Sequence, residues 1–151
     1  MDIKLILHPT DGSPNAARAL DVACGMARDY GARLLILNAQ RRHGLDVMPE
    51  ELEAYRRVEH VRVTDAELRR AAAQATVDAA VETARGNGPT EVEGLVVEGD
   101  PGRVVADVAK DRGVDLIVMG SRGYTGIQEL LLGSVTHKVL HAAPCNCLVV
   151  R

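Results

Sequence analysis

Five short apolar runs, separated by stretches of helical spacing, constrain this chain more than any other feature. Ile3 to Leu7, Leu34 to Leu37, Leu95 to Val97, Leu116 to Met119 and Leu148 to Val150 are continuous or nearly so in apolar residues. Runs of that kind lack polar-out alternation and fit strands covered on both faces, as in a parallel sheet. Between the runs the apolar spacing becomes helical. Ala16, Leu20, Ala23 and Ala27 follow the first run, and Val104, Val105, Val108 and Ala109 follow the third. Val135, Val139, Leu140 and Ala143 follow the fourth, and Pro144 stops that helix. Asp100-Pro101 reads as a cap and first helical residue. Thr64-x-x-Glu67 reads as a capping box opening an alanine-rich helix to about Arg85, which Gly86-Asn87-Gly88-Pro89 ends.

The order βαβαβαβαβ predicts an α/β fold. Its form is a doubly wound five-stranded parallel sheet with helices on both faces and right-handed crossovers. One domain over residues 1–151 accommodates it, long enough to bury roughly two-thirds of the unfolded surface. The longest connection, Gln40 to Gly88, holds the loop Arg41-Arg42-His43-Gly44 and a possible helical piece from Pro49 to about His60.

Composition removes several function classes. A formal charge of -3 argues against a nucleic-acid or membrane-surface protein. No apolar run approaches the ~20 residues of a membrane span. Phe and Trp are absent and only Tyr30, Tyr55 and Tyr124 are aromatic, so a base-stacking surface is not expected. Three cysteines, Cys24, Cys145 and Cys147, make no even disulfide framework. With no signal-peptide pattern after Met1, they predict a cytoplasmic setting.

The glycines point to chemistry. The fourth run opens into Gly120-Ser121-Arg122-Gly123, and nine residues later comes Gly133-Ser134-Val135-Thr136, where a helix begins. Glycine lets backbone approach an anion, and a helix start offers unpaired N–H donors with partial positive charge. A Walker A loop would need Lys directly after its last glycine, where Ser134 stands, and a dinucleotide loop would need Gly-x-Gly. In an open α/β sheet the ligand crevice lies beyond the carboxyl ends of the strands, where strand order reverses. If the first and fourth strands are neighbours there, Asp11 faces the glycine loop. Asp11 then accepts from a ribose hydroxyl or an adenine amino group, or Asp11 or Ser13 simply caps the first helix.

The pattern Gly120-x2-Gly123-x9-Gly133-Ser134 resembles the ATP-binding signature of the universal stress protein family, in its nucleotide-binding branch. The opening Ile6-Leu7-His8-Pro9-Thr10-Asp11-Gly12-Ser13 and the ending Ala143-Pro144-Cys145-x-Cys147-Leu148-Val149-Val150 are also similar to that family's ends. The resemblance implies a Rossmann-like sheet of the adenine nucleotide alpha hydrolase type. It places Pro9, Thr10, Asp11 and Ala39 around adenine and ribose, with Ala39 smaller than the valine often found there. It brings Met119 and Gly120 to the nucleoside, and Arg122, Gly123, Gly133, Ser134, Val135 and Thr136 around the phosphates. It also implies ATP with Mg²⁺ or Mn²⁺ held mainly by phosphate oxygens. A homodimer through the last strand, Cys147 to Arg151, follows from the same resemblance and would hide an apolar edge.

Three readings of function stand. The first is an ATP-binding signalling module of the stress response. The second is a slow ATPase or a phosphoryl or nucleotidyl transferase, and the third is a dimeric scaffold that uses no nucleotide. The loop lacks a Walker lysine, an adjacent general base and the Ser-Gly-Gly-x-Asp-Ser segment of related ATP pyrophosphatases, so the first is favoured. Other candidates are His137 and His141 as a metal pair, Cys145 and Cys147 as redox thiols, Arg41-Arg42 on phosphates, and Tyr124-Thr125 as a cover or a phosphorylation site. Each has an ordinary alternative: solvated or packed histidines, inert buried thiols and a solvated loop.

Overall fold

The computed structural model describes residues 1–41, 64–89, 91–124 and 132–151. The helical piece expected from Pro49 to His60, as well as Arg42 and Thr125, lie outside the described residues.

Strands β1 (Leu5–Pro9), β2 (Arg33–Gln40), β3 (Val92–Glu98), β4 (Leu116–Gly120) and β5 (Asn146–Val150) alternate with helices. These helices are α1 (Pro14–Tyr30), α2 (Asp65–Gly86), α3 (Pro101–Arg112) and α4 (Ser134–Ala142). The sheet is parallel throughout, in the order β3-β2-β1-β4-β5. The chain builds outward from β1 through β2 to β3, then crosses back to β4 beside β1. The strand order therefore reverses between β1 and β4, which sets the crevice beside Asp11 and the glycine loop.

Alternate residues of the central strands feed two cores. Ile6, Leu34, Ile36, Leu116 and Val118 face Leu20, Ala23, Ala27, Val77 and Val81 of α1 and α2. Leu7, Leu35, Leu37, Ile117 and Met119 face Val104, Val105, Ala109 and Val139 of α3 and α4. Burying each large side chain contributes about 1.5–3 kcal/mol, so these central strands carry most of the sheet's stability.

Local sequence sets the helix ends. Ser13 accepts from the Ala16 N–H and Pro14 opens α1, while Gly31 ends it in the left-handed conformation that glycine adopts without strain. Thr64 and Glu67 form both bonds of the expected capping box. Asp100 accepts from the Arg103 N–H at the start of α3.

β3 and β5 are the sheet edges, as expected for the last strand. Their apolar residues pack on both cores, Val92, Val96 and Val150 on one and Leu95, Val97 and Val149 on the other. With no neighbouring strand on one side, they are half-buried where the central strands are buried. Leu140 has helical spacing with Val139 but is 42% exposed, so it does not join the core. α4 spans only Ser134 to Ala142, and Val139 fills the position facing the sheet.

Candidate functional site

The carboxyl ends of β1, β2 and β4 and the first turns of α1, α3 and α4 enclose a cleft of about 1140 Å³. Pro9, Thr10, Asp11, Ala39, Met119, Gly120, Arg122, Gly123, Gly133, Ser134, Val135 and Thr136 all line it. The structure thus gathers every site position named from the sequence into one space. The cleft continues between α1 and α2, where Ala17, Asp21, Ala72 and Thr76 form its walls.

The β1 side is tied down by its own polar groups. Thr10 Oγ1 accepts from the Gly12 N–H at 3.1 Å, and Asp11 Oδ1 accepts from the Ser13 N–H at 2.9 Å. Ser13, not Asp11, caps α1. The second carboxylate oxygen, Asp11 Oδ2, accepts from the Tyr124 N–H at 3.2 Å across the crevice, and the Tyr124 hydroxyl donates to the Gly12 carbonyl at 2.8 Å. Asp11 is therefore a junction between the β1 turn and the β4 loop, with lone pairs remaining on both oxygens. Asn38 Nδ2, which the sequence reading did not single out, donates to the Thr10 carbonyl at 2.9 Å and fastens the β1 turn to β2. A polar side chain directly after Leu34 to Leu37 was its sequence signal.

The β4 side is packed through glycine. A Cβ on Gly120 would stand 3.0 Å from the Asn15 carbonyl carbon, and one on Gly123 would overlap the Asp11 carboxylate. A Cβ on Gly133 would approach the Arg122 Cα to 3.3 Å, while its N–H donates to the Ser121 carbonyl at 2.7 Å. The glycines of the pattern thus sit at close approaches inside the protein, tighter at Gly120 and Gly123 than at Gly133. The Thr136 hydroxyl donates to the Gly120 carbonyl at 3.0 Å and is buried, which gives this residue a structural duty.

The start of α4 differs from the other three helices. Its cap residue is Gly133, which has no side chain to accept from the first turn. The first intrahelical bond is His137 N–H to the Gly133 carbonyl, so the N–H groups of Ser134, Val135 and Thr136 have no intrahelical acceptor. They sit on the cleft wall with the positive end of the helix dipole. Arg41, Arg69 and Arg122 also line the cleft, so the described residues bring three permanent cations to it.

The remaining candidates separate. His137 and His141 pack against each other with ring centroids 4.6 Å apart, away from the cleft, and no three-residue metal cluster occurs among the described residues. Burial pushes the Cys145 thiol up to about 11 and also raises Cys147, so both stay protonated and poorly nucleophilic at neutral pH. No helix among the described residues is long and apolar enough to cross a membrane.

A model of the universal stress protein family matches residues 3–151. The chain belongs to that family. It is 34% identical to the universal stress protein YxiE of Bacillus subtilis, over 97% of each chain. Among solved structures it is similar to the universal stress protein UspA from Lactobacillus plantarum, at 26% identity and a TM-score of 0.79, covering 100% of this chain and 99% of the other. A universal stress protein solved in complex with cAMP shares the fold at 24% identity and a TM-score of 0.72, covering 100% of this chain and 98% of that one.

Proposed function

We propose that this universal stress protein is a nucleotide-binding module of the stress response and that its nucleotide is ATP. The observation that carries the reading is the uncapped start of α4, opening into the same cleft as the β1 turn. Ser134 and Val135 N–H groups would take the phosphates together with the Arg122–Gly123 backbone. Adenosine would lie against Pro9, Thr10, Asp11, Ala39 and Met119, a wall without aromatic side chains. The cAMP belongs to the protein it was solved with, and at that identity the likeness speaks for the fold alone.

A divalent cation fits this site only as a companion of the phosphates. Asp11 already accepts two backbone N–H groups, and Asp100 pairs with Lys138 Nζ at 2.9 Å. Mg²⁺ or Mn²⁺ would be held by ATP oxygens and water. Among the described residues both carboxylates are already engaged, so holding ATP is favoured over turning it over.

A homodimer through β5 in a cytoplasmic setting completes the proposal. The two edges differ in charge: β3 carries Glu93 and Glu98, while Asn146 to Val150 of β5 is uncharged and leaves Leu148 37% exposed. Charge protects an edge, and an uncharged one calls for a partner. Leu148→Lys should therefore shift sedimentation towards monomer, and an unchanged dimer would remove β5 from the interface.

The direct test of function is mass spectrometry of ligand released by heat from purified protein, followed by ATP titration with and without Mg²⁺. ATP bound at one per chain supports the module. No adenine nucleotide released and none bound on titration would refute it.

A further inference from the structure

The two sides of the cleft are joined from beneath by a residue that lines neither of them. β1 and β4 are in register at Ile6–Leu116 and Leu7–Ile117, where their pairing ends. One residue further on, His8 Nδ1 lies 2.9 Å from the Val118 carbonyl. A carbonyl only accepts, so Nδ1 carries the proton and Nε2 presents a bare lone pair. His8 is fully buried, and Nε2 has no hydrogen-bond partner among the described residues. Desolvation lowers its pKa to about 4, against smaller opposing effects of the Val118 bond and the Asp11 charge, so the ring is neutral at pH 7.

An aliphatic side chain would fill this position without the unmatched Nε2, but it would donate nothing to the Val118 carbonyl. What the imidazole adds is a link between strands at the point where they diverge. Pro9, Thr10 and Asp11 follow His8 directly, and Met119 and Gly120 follow Val118. The other bonds from β1's turn to the β4 loop, through Tyr124, are exposed; the His8–Val118 bond is buried. We propose that His8 is a positioning residue for nucleotide binding, its Nδ1–H bond to Val118 fixing the β1 turn against the β4 glycine loop. This deepens the nucleotide reading and rests on it.

The test compares wild type, His8→Asn, whose amide can donate from near the Nδ1 position, and His8→Leu. ATP affinity is measured by calorimetry, and amide hydrogen exchange is measured without ligand over residues 9–13 and 119–124. His8→Leu should weaken ATP about tenfold or more, the scale expected for a displaced binding group. It should also speed exchange in both segments while β2 stays protected, and His8→Asn should restore both towards wild type. Wild-type affinity and exchange in His8→Leu, or no recovery in His8→Asn, would overturn the proposal. If wild type binds no ATP, the nucleotide reading and the binding role fall together, and exchange then shows only whether the strand link exists. Imidazole ¹⁵N spectra of wild type need no variant: Nδ1 protonated with Nε2 bare is expected, and the opposite tautomer would overturn the link.

Discussion

Helices α1 and α4 both start in the same crevice, yet their first turns are completed in opposite ways. Ser13 closes α1 with its own hydroxyl, and Asp11 and Thr10 brace the turn before it. α4 starts at Gly133, with no side chain to meet its N–H groups. α3, which also borders the cleft, is closed by Asp100. Equal positions in a doubly wound sheet therefore do not make equal anion sites. The capped ends are finished structure, and the uncapped end keeps the open donors on which the proposed phosphate site rests.

The largest expected effect lies on the α1 side and comes from acid. His8 titrates near 6.5 when unfolded and at about 4 when folded. Between those values the unfolded chain binds the extra proton, so stability is complete above pH 6.5 and falls as pH drops to about 4. The loss is about 3 kcal/mol, and urea unfolding across that range should show it. His8→Asn should remove that part of the pH dependence; an unchanged slope would exclude His8 as its source.

Giving α4 the kind of cap α1 has should break the comparison. Gly133→Asp would place a carboxylate where the phosphates are proposed to sit and should weaken ATP by about tenfold or more, roughly 1.4 kcal/mol. Thermal unfolding should show the sheet intact. Affinity equal to wild type would mean that α4's start is not the phosphate site. Removing the cap of α1 should do the reverse. Ser13→Ala should cost about 1 kcal/mol of stability by denaturant titration and leave ATP affinity within about threefold. The smallest effect belongs to α3, where the Lys138–Asp100 pair is exposed. Lys138→Ala should change stability by less than about 1 kcal/mol in the same titration.

How far the sequence reached follows the same physics. Continuous apolar runs and helical spacing depend on burial, so β1, β2, β4 and the sheet-facing side of α1 were legible. Cap residues act on their nearest neighbours, so Thr64, Asp100 and Pro14 announced their helices. The edges were less legible because an apolar triplet reads alike in a central strand and an edge strand: β5 was expected at an edge, but nothing in Leu95 to Val97 marked β3 as the other. Leu140 marks the helix but not the core, because helical spacing fixes its angle on α4 but not whether anything lies opposite. The site was half legible. The glycine spacing marked Gly120, Gly123 and Gly133, but their tight packing on Asn15, Asp11 and Arg122 appears only once distant segments meet. His8 and Asn38 act on carbonyls of neighbouring strands, and nothing local to either residue tells which carbonyl that is.

The central claim is that the uncapped start of α4 receives the phosphates. Backbone amide NMR of the protein titrated with ATP tests it most directly. The resonances of Gly123, Ser134 and Val135 should shift most and together, while those of Asn15 and Ala16 in the capped first turn of α1 move little. Saturable binding that shifted the α1 turn and left Ser134 and Val135 in place would contradict the account.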